Sequence, residues 1–110
     1  MRRAELVRAF VLAFAALLVA CAAPAPRSRP PFADPLLSVD RAAAALSPGS
    51  TTKAQARALL GEPETVPFDS GYEAWVYRRQ GEGAPREELV LLFEPAGTLA
   101  RMRAITGPPR

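Results

Sequence analysis

The sequence predicts an α+β domain: two N-terminal helices packed on a three-stranded antiparallel sheet, carried behind a short leader. Three observations lead there. Helix signals (caps, apolar faces at helical spacing, glycine and proline stops) all fall before residue 64. Beyond it, alternating and doubly apolar runs read as strands. The connections between those runs carry glycine and contain no helix, which favours consecutive antiparallel strands over crossovers.

The first twenty residues stand apart. Met1-Arg2-Arg3 opens the chain, and the stretch from Ala9 to Ala20 carries no charge. A basic start, a short apolar core and small residues at its end make a secretory signal peptide. A spanning helix needs roughly 20 apolar residues, and this run stops at about 15 before Pro24. Leu18-Val19-Ala20-Cys21 closes the core and resembles the lipobox of bacterial lipoproteins. That resemblance implies cleavage between Ala20 and Cys21, an S-diacylglyceryl group on the Cys21 thiol, and acylation of the new amino terminus. One acyl chain holds a membrane only reversibly, whereas two or more hold it firmly.

Residues 21–35 follow as a proline-rich tether, with five prolines between Ala22 and Pro35. Such a stretch favours extended conformations, and at about 3.1 Å per residue it spans roughly 40 Å. A spacer and a leftover without a spacing role are both open readings, and either lies outside the domain of residues 36–110.

Asp34-Pro35 reads as a helix start, aspartate capping and proline in the first turn. Leu36, Leu37, Val39, Ala43 and Leu46 supply its apolar face, and Ser47-Pro48-Gly49 ends it. The second helix, residues 53–60, has sharper bounds. Thr52 and Gln55 fit a capping box. Ala56, Leu59 and Leu60 form its stripe, while Gly61 suits a left-handed cap with Pro63 blocking continuation. Residues 74–79 alternate, with Trp75 and Tyr77 on one face and Val76 on the other. Residues 88–93 are apolar on both faces, as in a central strand covered on one side by helices. Glu94-Pro95-Ala96-Gly97 is a turn, and residues 99–105 form the last strand. Residues 64–68 either extend the first strand or lead into it.

Composition excludes several function classes. The net charge of +3 resides in the leader and tether, because residues 36–110 balance nine basic against nine acidic side chains. A nucleic-acid partner needs a basic face, which this domain lacks. There is no histidine and one cysteine. That removes disulfides, the usual Cys/His zinc sites and His-based triads, so no enzyme, metal, cofactor or small-molecule substrate is expected. Glu87 and Glu88 are adjacent on a strand and point to opposite faces, so they form no carboxylate pair. Gly81-x-Gly83 lacks the following helix that a phosphate cradle needs.

Three segments in order carry a resemblance: Gly49-Ser50-Thr51-Thr52 running to Leu60-Gly61-Glu62-Pro63, then Trp75-Val76-Tyr77, then Leu91-Leu92-Phe93-Glu94-Pro95-Ala96-Gly97. Behind a lipobox this series resembles the SmpA/OmlA (BamE-like) family of small outer-membrane lipoproteins, over roughly residues 46–105. The resemblance implies a non-catalytic periplasmic module that binds envelope proteins, among them barrel-assembly subunits, and anionic lipid. The loop after Tyr77 and the missing methionine at the helix entry depart from the family pattern. An inhibitor or ligand-sequestering lipoprotein of the same fold is the alternative. Ala22 in place of aspartate favours the outer over the inner membrane, with inner-membrane retention left open. Trp75, Tyr77, Arg101 and Arg103 are the candidate partner contacts. For the aromatics the competing reading is core packing; for the arginines it is protection of a sheet edge.

Overall fold

The computed structural model describes residues 28–109. Ala20 and Cys21, with the signal peptide and the start of the tether, lie outside them. The described chain is α+β, with two helices and a four-stranded antiparallel sheet in the order β1-β2-β3-β4. The elements are α1 (Val39–Ala44), α2 (Lys53–Leu60), β1 (Glu64–Pro67), β2 (Glu73–Arg78), β3 (Arg86–Phe93) and β4 (Leu99–Gly107). The sheet therefore has one strand more than the expected three. Residues 64–67 pair with β2 as a separate edge strand, from Glu64 opposite Val76 to Pro67 opposite Glu73.

The first helix is shorter than the sequence suggests. Asp34 does not cap it: its Oδ1 accepts from the Leu36 amide (2.9 Å), a local turn that leaves Leu36 91% exposed. The cap is Ser38, whose hydroxyl accepts from the Arg41 amide at 3.2 Å. Val39 and Ala42 then turn inward, with Leu46 just beyond the helix.

The second helix occupies residues 53–60 as predicted, and its capping box is complete. Thr52 Oγ1 accepts from the Gln55 amide (3.2 Å), and Gln55 Oε1 accepts from the Thr52 amide (3.0 Å). Ala56 and Leu60 are buried, but Leu59 is exposed, because the helix meets the sheet through a narrow stripe. Gly61 has positive φ (91°) but ψ of −164°, an extended mirror region open to glycine rather than the expected left-handed cap. A Cβ there would also lie 2.7 Å from the Ala33 Cβ.

That contact belongs to a strap the sequence places outside the domain. Arg29 and Gln80 exchange backbone hydrogen bonds of 2.6 and 3.0 Å, and the Ala33 amide donates to the Leu60 carbonyl (3.0 Å). Between them Phe32 is 4% exposed, its ring centroid 5.5 Å from that of Tyr77. The packed structure thus begins before Leu36. Both helices and the strap cover one face of the sheet, where Phe32, Val39, Ala42, Ala56 and Leu60 close over Trp75, Tyr77, Leu89, Leu91 and Phe93. The loop before α2 is stitched to the start of β4, since Leu99 N–H donates to Thr51 O (2.8 Å) and Lys53 N–H to Gly97 O (3.1 Å).

Candidate functional site

Strand alternation divides the sheet into a sealed face and an open one. On the sealed face, Trp75 lies 4.6 Å from Phe93 between ring centroids, and the Arg57 guanidinium of α2 sits 4.8 Å above the indole. Its Nε1–H donates to Glu73 Oε1 (2.6 Å), and Lys53 Nζ donates to Oε2 (3.1 Å). These two donors hold the Glu73 carboxyl below the usual carboxylate range. Tyr77 donates its hydroxyl to the Gly61 carbonyl (2.9 Å), and burial pushes the phenol above its ordinary pKa. Trp75 and Tyr77 are 0% and 1% exposed, so the partner-contact expectation fails for both. They tie the sheet to α2 and the strap. Both shifted groups follow from this core packing.

The open face is built by register. Val66, Ala74, Leu92 and Arg101 stand abreast across the four strands. The next row is Glu64, Val76, Val90 and Arg103, and a third holds Arg78, Glu88 and Ile105. None of these side chains belongs to the core cluster. Val76, Val90, Leu92 and Ile105 are half-buried, Ala74 is buried at 8% exposure, and Val66 is 43% exposed. The Phe68 amide donates to the Tyr72 carbonyl (2.9 Å), which carries the β1–β2 register one pair further. Phe68 and Tyr72, 49% and 36% exposed, thus stand one row beyond Val66 and Ala74.

Arg101 and Arg103 are exposed on the edge strand β4, as the sequence suggests, and neither forms an ion pair among the described residues. At the other edge Glu64 lies 3.8 Å from Arg78 and keeps a 64% exposed side chain. The face is an aliphatic band with Glu64 at one edge and Arg101 and Arg103 at the other. Its aliphatic members are not among the contacts the sequence suggests, although the doubly apolar run from Glu88 to Phe93 signals them. One apolar side went under the helices, and the other had nothing assigned to cover it.

Two polar grooves lie at the far end of the strands from Phe68 and Tyr72. One, of about 540 Å³, runs between the strap and β1, and is lined by Arg29, Phe32, Glu64, Tyr77 and Arg78 among others. The second, about 220 Å³, lies under the β2–β3 loop, where the Arg79–Glu87 pair (2.9 Å) holds the strand ends. Among the described residues no cluster of His, Cys, Asp or Glu could hold a metal ion, and no helix is long and apolar enough to cross a membrane. Compared with protein-family models, with curated proteins and with solved structures, the chain matches none.

Proposed function

We propose that this chain is a lipid-anchored, non-catalytic binding module of the bacterial envelope, held through acylated Cys21 and facing the periplasm from the outer membrane. Its work is to present the open sheet face to another protein. The observation that carries this reading is the band of Val66, Ala74, Val76, Val90 and Leu92, aliphatic yet with neither of the two described helices over it. An apolar patch with a charged rim marks an interaction site more often than a bare solvent face.

The strap sharpens the anchoring part of the proposal. With Arg29 and Phe32 pinned to the domain, only the residues from Cys21 to Ser28 remain as spacer. Fully extended they span about 25 Å, against roughly 40 Å for the whole proline-rich stretch. An anchored domain of this kind works close to the bilayer and meets partners that lie there too. SmpA/OmlA membership and a role beside the barrel-assembly machine remain part of this proposal. They rest on the motif series, and on a two-helix, antiparallel architecture to which β1 adds an edge strand.

Two measurements test it. Cys21→Ser is expected to release the full-length protein from membranes and to remove the acyl mass; unchanged partition overturns the anchor. A photo-crosslinking residue at Leu92 is expected to capture protein in whole envelopes, with barrel-assembly subunits among the mild-detergent co-purification products. Absence of those subunits removes the assembly role, and an empty Leu92 removes the binding face.

A further inference from the structure

The charge pattern of the open face is complementary to itself. We propose that this face docks on the same face of a second copy, related by a two-fold axis running along the strands between β2 and β3. The proposal rests on the reading of this face as a protein-binding surface, and it names the protein.

Two sheets packed face to face lie about 10 Å apart, with strand directions within about 30° of each other. The proposed axis sets β1 of one copy over β4 of the other, and β2 over β3. Rows then meet rows. Glu64 stands over Arg103 of the second copy at both rims, Val76 over Val90, and Ala74 over Leu92. Arg101 lays its aliphatic stem over Val66 with the guanidinium at the rim. In the third row Arg78 faces Glu88, repeating across the interface the pair each chain makes within itself at 3.7 Å. A two-fold axis at right angles to the strands would instead stack β4 on β4. It would set Arg101 and Arg103 against their own copies, a like-charge arrangement that disfavours it. Charge thus selects one of the two ways of closing the pair.

Size predicts how tight the pair is. Four strands about 4.8 Å apart and six residues long cover roughly 400 Å² per copy. A standard interface uses about 800 Å² per partner. The dimer is therefore a weak one, favoured where copies share a membrane plane, and the experiment belongs in membranes rather than in dilute solution.

Two differently tagged full-length copies are co-expressed, one carrying Glu64→Cys and the other Arg103→Cys, and intact membranes are treated with a short thiol–thiol crosslinker. The expected product is the mixed-tag dimer, on the order of tenfold above the Glu64→Cys/Glu64→Cys and Arg103→Cys/Arg103→Cys combinations. Glu64→Arg, read through Val90→Cys self-crosslinking, is expected to cut the yield on the order of tenfold, and adding Arg103→Glu to restore it. Because both positions are exposed, unchanged thermal melting accompanies the loss, and rescue by the double variant excludes misfolding. Equal yields from all three combinations, or no rescue, overturn the proposal. A photo-crosslinking residue at Val90 that captures a different protein overturns the second copy as occupant and leaves the binding face standing. One that captures nothing removes both.

Discussion

On one side of the sheet Trp75, Tyr77, Leu89, Leu91 and Phe93 are sealed under helices and the strap; on the other Val76, Val90 and Leu92 stay half-buried and outside the core cluster of the described residues. The aliphatic content of β3 is similar on both sides, so hydrophobicity alone does not decide which is core. Size and polar anchoring do. The sealed face carries the buried aromatic rings, and both polar aromatics on it reach a partner, Trp75 at Glu73 and Tyr77 at the Gly61 carbonyl. The open face carries β-branched and aliphatic side chains of moderate size, rimmed by Glu64, Arg101 and Arg103. One face holds the fold together, and the other is left available for recognition.

Five substitutions break or sharpen that contrast. Trp75→Ala is expected to cost about 3–5 kcal/mol in denaturant unfolding, whereas Val90→Ala costs under about 1 kcal/mol. Equal losses would mean that the open face is buried within the single chain as well. Next in size is the strap. Phe32→Ala should cost about 3 kcal/mol, and Gly61→Ala about 2 kcal/mol, from backbone strain and the Ala33 contact. Wild-type melting in both would put residues 28–33 back among the tether. Tyr77→Phe removes a single hydrogen bond to Gly61, and a loss of about 1 kcal/mol is the expected result in the same assay.

The smallest effect is one of pH. The Glu73 carboxyl titrates below its ordinary value of 4.5 in the folded state, so the stabilisation it brings is complete above that value. It disappears as pH falls through the lowered folded-state value. Glu73→Gln should therefore flatten the acid limb of the stability profile below about pH 4.5 and leave its slope near neutrality unchanged. An acid limb identical to that of the unsubstituted protein would mean that the Trp75 and Lys53 contacts do not persist in solution.

Signals confined to a few consecutive residues were the legible ones. Thr52 with Gln55 set the start of α2, and Leu60-Gly61 with Pro63 set its end. Gly97 closes the β3–β4 turn with φ of 93°, its amide donating to the Glu94 carbonyl at 2.8 Å. Asp34-Pro35 misled because a capping aspartate and a turn-forming one look alike without a helix behind them. The four residues of β1 are all exposed, so no alternation of burial marks them as a strand; pairing with β2 does. Phe32 was hidden by its proline-rich surroundings.

What the sequence determined by itself was local: the helix caps, the β3–β4 turn, the antiparallel order of the last three strands, the neutral domain charge, and the expectation of an anchor at Cys21. Only the tertiary structure decided that Phe32 belongs to the core, that Trp75 and Tyr77 are withdrawn from the surface, and that an aliphatic face remains open opposite them. Caps and turns are written in neighbouring residues, through hydrogen bonds a few positions apart. Which face a helix covers depends on contacts among residues far apart in the chain, and no short stretch of sequence contains them.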